Sequence, residues 1–339
     1  MIVSWFLLLF VTLQLHVDFD QKTNHNYYRM KRKLLIFGVL SLLLPLRTMA
    51  QESDLLSHRR IDLFNIKVMP GMKGKDHRDS IVNNRIWRAE QPRLYEYLPG
   101  REEVSGTAVI VIPGGGYVKQ AYETAGVSFA KWLNTMGVTA FVLLHRMPGQ
   151  PDVVDATTAP LADAQRAVKW VRAHASDYGI TPNRIGVIGC SAGAHLAACV
   201  NVVKDDYSCC GDTLDSKSFR PNFAILVSPA GILKSEGEAW KTKDIKVKRL
   251  LDRFPIDSLV DGTTAPMLMI HASDDRVVSP LSSVGIYRAL LKAGVKQSSL
   301  HIFPHGGHNI ALRKQPGSTA LWTQLAEMWM REIGVLSGF

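Results

Sequence analysis

A serine hydroxyl becomes a nucleophile only where the chain exposes it beside a base, and one segment of this 339-residue sequence has the form to do that. Gly189-Cys190-Ser191-Ala192-Gly193 follows a short aliphatic run at 185–188 and precedes a helical stretch at 192–203. A sharp strand-to-helix turn pushes the Ser191 side chain outward, and the flanking glycines are needed because side chains there would strike the neighbouring strand or helix. The N–H of Ala192, at the start of that helix, faces the place where negative charge would develop. The implied chemistry is nucleophilic attack on a carbonyl.

Such an attack needs oxyanion donors, a base and an orienting acid. Pro113-Gly114-Gly115-Gly116-Tyr117 follows the mostly β-branched run 107–112, and its glycines let the backbone approach a substrate and aim N–H groups, at Gly115 and Gly116, at an oxyanion. A phosphate loop is the rival reading; it lacks the GxxxxGK[ST] pattern and Lys119 is misplaced for one. The acid and base should follow the serine in that order, each at the end of a later strand. The run 267–271 leads into Ala272-Ser273-Asp274-Asp275-Arg276, and the run 300–303 leads into Pro304-His305-Gly306-Gly307-His308. His308, after a glycine pair that permits a tight turn, is the expected base. Residue types leave Asp274 and Asp275 both open as the acid. His271 and His305 are assigned to core or turn, and His195 is expected to pack beneath the elbow. This acyl transfer requires no metal and no organic cofactor. The four cysteines contain no CxxC pair that would suggest zinc. Cys190 reads as a small buried filler, and pairing among Cys199, Cys209 and Cys210 stays open.

The elements that must position these residues alternate. Strand-like runs at 107–112, 138–144, 185–188, 223–227, 267–271 and 300–303 are separated by helical patterns. One helix carries Ala125, Phe129, Trp132, Leu133 and Met136 at helical spacing; others span 161–178, 281–293 and 319–330. Strands apolar on both faces with crossover helices between them predict a mostly parallel, doubly wound α/β sheet with helices on both faces. Residues 51–339 are expected to form one such domain after a variable leading region, 51–106. The charged segment 203–221 reads as an inserted loop that could line a substrate rim.

Composition narrows the partners. The net charge of +10 falls to +6 once residues 1–50, with six Lys/Arg and two acids, are set aside. The remaining basic residues are scattered without aromatic interleaving, which speaks against nucleic acid. Met30-Lys31-Arg32-Lys33, an apolar run at 34–44, Pro45 and the small residues before Gln51 have the order of a secretory signal, with translation starting at Met30 and cleavage after Ala50. The apolar run is too short to span a bilayer. The expectation is a secreted or periplasmic protein with no stable membrane anchor after processing; a short membrane-associated segment at 2–15 is the alternative.

Over residues 112–308 the sequence resembles the secreted bacterial esterase branch of the α/β-hydrolases that includes acetylxylan esterases and related carbohydrate esterases. The resemblance lies in Pro113-Gly114-Gly115-Gly116-Tyr117, Ala130-Lys131-Trp132-Leu133, Arg146-Met147-Pro148, Asp163-Ala164-Gln165-Arg166-Ala167, Pro182-Asn183-Arg184-Ile185-Gly186 and the elbow. It implies the α/β-hydrolase fold and a catalytic set of Ser191, Asp275 and His308. The branch's register from His271 to Val278 selects Asp275 over Asp274. It also implies a small acyl group, such as acetyl, on a hydroxyl of a plant-type oligosaccharide or polysaccharide. Departures stand at Pro113, where relatives often carry histidine, at Cys190, and at Ala125-Gly126, where many have Glu-Gly. A serine peptidase of the prolyl-oligopeptidase type shares the order of the three residues, but its large extra domain would not fit in this length. A lipase would call for a long apolar lid, and a binding module would not need an intact serine, acid and histidine.

Overall fold

A computed structural model describes residues 58–337 except 66, 74–78, 84, 232–241, 311–314 and 316. The expected signal segment, its start at Met30 and its cleavage point lie outside the described residues.

The chain enters through β1 (Arg60–Asp62), a small hairpin of β2 (Ser80–Val82) and β3 (Arg85–Arg88), and β4 (Arg93–Tyr97). Then follow β5 (Ala108–Ile112), helix α1 (Ser128–Asn134), β6 (Thr139–Leu144), α2 (Ala159–Ala173), β7 (Ile185–Cys190), α3 (Ala192–Val202) and β8 (Phe223–Val227). The last part comprises α4 (Ile245–Arg253), the single turn α5 (Ile256–Leu259), β9 (Met267–Ala272), α6 (Leu281–Lys292), β10 (Ser299–Phe303) and α7 (Trp322–Glu332). All six strands expected from the aliphatic runs are present. The helix foreseen around Ala125 opens with a wide π-type turn, Glu123–Val127, before α1.

Eight strands form one sheet in the order β1-β4-β6-β5-β7-β8-β9-β10. Pairing is parallel from β6 through β10, and antiparallel where β4 meets β6 and β1 meets β4. Both faces are covered, so successive strand residues serve opposite cores. Ile110 and Ile112 of β5 pack with Leu161 and Val168 of α2, Leu196 of α3 and Leu290 of α6. Val109 and Val111 pack with Phe129 and Leu133 of α1 and Trp322 and Trp329 of α7.

The antiparallel strands within 51–106 escaped the sequence reading. Arg-Leu-Tyr-Glu-Tyr in β4 looks polar, yet Arg93 is almost fully buried, bonded to Asp79 and to the hydroxyl of Tyr95. The segment 203–221 also needs correction, because it does not line a rim near Ser191. It leaves the C-terminal end of α3, the end remote from Ser191, and lies along α2. Buried Lys169 pairs with Asp206 at 2.5 Å, Arg166 with Asp212 and Asp215, and Gln165 bonds the backbone of Asp205 and Tyr207. Two buried cations thus draw this acidic loop onto the helix flank.

Candidate active site

The glycines around Ser191 are dictated by contact. A Cβ on Gly189 would collide with the backbone of Gly193, and one on Gly193 with the carbonyl of Ile112. The elbow can therefore form only where β5, β7 and α3 pass within backbone distance. Ser191 itself has φ 57° and ψ −123°, a strained conformation for a residue with a side chain. It is held there on both sides: its N–H donates to Val227 O at 2.9 Å, and its carbonyl accepts from Ala194, His195 and Ala230.

His308 follows β10 through a short turn, and its ring joins two partners. Nε2 lies 2.8 Å from Ser191 Oγ and Nδ1 lies 2.7 Å from Asp275 Oδ2. With Nδ1 donating to the carboxylate, Nε2 is left as the acceptor for the serine proton. Asp275, after β9, has a fully buried side chain. Its Oδ1 accepts from the N–H groups of Val277 and Val278 at 2.8 and 3.0 Å. Burial alone would raise its pKa; hydrogen bonds from His271, His308, Val278 and Val277 outweigh that and hold the carboxyl well below the usual range. Asp274 faces outward instead. Its Oδ1 accepts from Gly307 N at 2.7 Å, which ties the β9 loop to the turn that carries His308.

The glycine loop after β5 crosses directly over the elbow. A Cβ on Gly114 would press on the Cys190 carbonyl and stand 3.2 Å from Ser191 Cβ. Gly115, Gly116 and Tyr117 follow with φ of 141°, 70° and 59°. Gly115 needs its glycine, since a side chain there would meet the carbonyl of Lys119. Its own carbonyl accepts from Val118 and Lys119, and Gly114 O accepts from Ala121 N at 2.8 Å, so the loop is pinned from within. Ala192 is the first residue of α3, where backbone N–H groups have no partner inside the helix. Gly115, Gly116 and Ala192 thus lie in the two segments that meet over Ser191.

Three supporting residues were not foreseen in these roles. His271, expected in the core, is buried there, but its Nε2 also lies 3.2 Å from Asp275 Oδ2 while Nδ1 lies 2.8 Å from Ser283 Oγ. The four-residue spacing of His271 and Asp275 was the available signal. His195 is buried beneath the elbow as expected, and its Nδ1 is 2.9 Å from the hydroxyl of Tyr117. Tyr117 is the residue that ends the glycine loop, so the loop is anchored to α3. Burial lowers the pKa of His195 to about 4, despite a bond from Nε2 to Phe254 O, and keeps the ring neutral. His305 is exposed, 3.8 Å from Asp274. Cys190 is buried and its thiol is pushed up to about 12, first by burial and then by the charge of Asp275. All four cysteines are free.

Among the described residues, Cys210, Asp212 and Asp215 are the one group close enough together to hold a metal ion. It lies on the loop along α2, and Arg166 already pairs with both carboxylates.

Known proteins agree with this architecture. An acetylxylan esterase of Xylanibacter ruminicola is 30% identical over 249 residues, which is 70% of this chain and 46% of the relative. Endo-1,4-beta-xylanase B of Butyrivibrio fibrisolvens is 25% identical over 74% of this chain and 40% of its own length. The chain thus spans less than half the length of these two curated relatives. Among solved structures, an acetyl ester-xyloside bifunctional hydrolase from Caldicellulosiruptor lactoaceticus superposes with a TM-score of 0.68 at 31% identity, covering 83% of this chain and 98% of that one. Esterase 2 of Thermogutta terrifontis, with propionate bound, gives 0.62 at 26% identity over 80% and 97%. The sheet order, the serine elbow and the match of the BD-FAE family model to residues 94–290, more than half of the sequence, lead to one assignment: the chain belongs to the BD-FAE family of α/β-hydrolases.

Proposed function

We propose that this protein is a serine carboxylic-ester hydrolase that removes small acyl groups, acetyl foremost, from hydroxyls of an oligosaccharide or polysaccharide. The observation that carries the hydrolase reading is the single imidazole of His308 in contact with Ser191 Oγ and Asp275 Oδ2 at once. Ser191 Oγ attacks the ester carbonyl as His308 Nε2 takes its proton. The charge forming on the carbonyl oxygen is received by N–H groups of Gly115, Gly116 and Ala192. His308 then returns the proton to the departing alcohol, leaving an acyl-serine. Water activated by the same imidazole hydrolyses that intermediate. Asp275 fixes the tautomer and stabilises the imidazolium.

The sugar part of this reading is supported by the names of the relatives, which pair acetyl-ester cleavage with xylan or xyloside chemistry. Export is supported by the signal-like segment at 30–50. The test is acetate release from acetylated xylan beside p-nitrophenyl acetate, a long-chain p-nitrophenyl ester and an aminoacyl p-nitroanilide. Release from the first two with little from the others is expected. Preference for the long chain or the amide would overturn the substrate class.

A further inference from the structure

We propose that a groove beside the glycine loop is the binding subsite for the sugar portion of the substrate, with Trp87 as the platform on which a pyranose ring stacks. This rests on the carbohydrate-ester reading above. The groove encloses about 390 Å³ between the β2–β3 hairpin and the loops after β5 and β6; Trp87, Arg88, Tyr117, Val118, Met147 and Asp244 are among its walls.

Its place relative to Ser191 is set by backbone bonds. Ile86 and Gln120 exchange N–H···O bonds at 3.0 and 2.7 Å, and the next residue, Ala121, donates to Gly114 O at 2.8 Å. The hairpin is therefore locked to the loop that passes over Ser191, and Tyr117 belongs to both the groove and that loop. Alternation along β3 does the rest: Ile86 turns inward and is fully buried, so Trp87 turns outward into the groove.

Trp87 is 42% exposed, so much of the indole surface is open to a ligand in the groove. The indole is braced by the ammonium of Lys119, 4.7 Å from the ring centroid. The weakly positive C–H face of a pyranose complements the negative face of an indole. Asp244, whose Oδ1 caps α4 through the N–H groups of Lys246 and Val247, adds a carboxylate to the same wall. An ester has two arms, and a small acyl arm leaves the alcohol arm to occupy an open groove of this size.

The experiment compares wild type, Trp87→Ala and Trp87→Phe on acetylated xylo-oligosaccharides and on p-nitrophenyl acetate, which carries no sugar. The ratio of kcat/KM for oligosaccharide over p-nitrophenyl acetate should fall about tenfold in Trp87→Ala, mainly through KM, and recover in part in Trp87→Phe. In a Ser191→Ala background, the Kd for an acetylated xylo-oligosaccharide should weaken by a similar factor when Trp87→Ala is added. An unchanged ratio together with an unchanged Kd would overturn the subsite while leaving the esterase reading intact. Wild-type protein that cleaves p-nitrophenyl acetate but no acetylated oligosaccharide would overturn the carbohydrate reading and the subsite with it.

Discussion

His271 Nε2 lies 3.2 Å from Oδ2 of Asp275, the same carboxylate oxygen that meets His308. The acid of the site is thus held by a buried imidazole as well as by two backbone N–H groups, and its orientation does not depend on His308 alone. Replacing His271 with alanine should lower kcat by about tenfold with KM little changed, because a loosened Asp275 positions His308 less well. The variant should also melt at a lower temperature, since a buried ring is lost. Steady-state kinetics beside thermal melts check this; an unaffected kcat would mean that His271 serves packing alone.

Ser191→Ala should reduce ester hydrolysis by on the order of 10³-fold or more. The melting temperature should stay close to wild type, because the lost hydroxyl sits at a partly exposed elbow and leaves no core cavity. A variant that retains a tenth of wild-type turnover would refute the role of Ser191.

The adjacent aspartates should separate cleanly. Asp275→Asn should cost roughly 10³-fold in kcat through loss of the correct tautomer of His308. Asp274→Asn removes the charge of a surface carboxylate but keeps an amide oxygen that can accept from Gly307 N, so at most a several-fold loss is expected. Turnover that collapses in Asp274→Asn and survives in Asp275→Asn would exchange the two roles.

Stability should fall as the pH drops from about 6.5 toward 4. His195 resists protonation in the fold, mainly through burial, down to about 4, whereas the unfolded chain takes the proton near 6.5. Its contribution is complete above the unfolded value and is lost on acidification through that window, an effect of roughly 3 kcal/mol. Buried His145, also lowered first by burial, acts in the same direction. Urea unfolding across this range should give a shallower pH slope for His195→Asn than for wild type. Equal slopes would place the pH dependence elsewhere.

A chain that begins at Gln51 should be soluble and as active as the full-length protein, because every residue placed at the site lies beyond position 57. Mass spectrometry of exported protein should find Gln51, or its cyclised form, at the N-terminus. Retention of residues 1–50 on membrane-bound protein would refute the processing.

Much of the site was legible because the chemistry is encoded locally. Gly-Cys-Ser-Ala-Gly, the triple glycine and Gly-Gly-His each carry their geometry within five residues, and each follows an aliphatic run long enough to be read as a strand. What escaped depends on pairing across distance. β4 is polar in composition and becomes a sheet strand only because Arg93 finds Asp79 and Tyr95. The loop at 203–221 shows its charges but not that Lys169 and Arg166, buried in α2, will capture them. Trp87 is one aromatic in a leading region without periodicity, and its relation to Ser191 comes from the Ile86–Gln120 bridge and the Lys119 contact, both made across distance.

His308 reaches across 117 residues to Ser191 and across 33 to Asp275, and the three stand at the ends of three different strands. Closing such long loops is entropically slow, so the site assembles only when β7, β9 and β10 are all in register. Recovery of esterase activity after dilution from denaturant should therefore lag the return of helical signal, and catalytic turnover becomes a clock for the last step of folding.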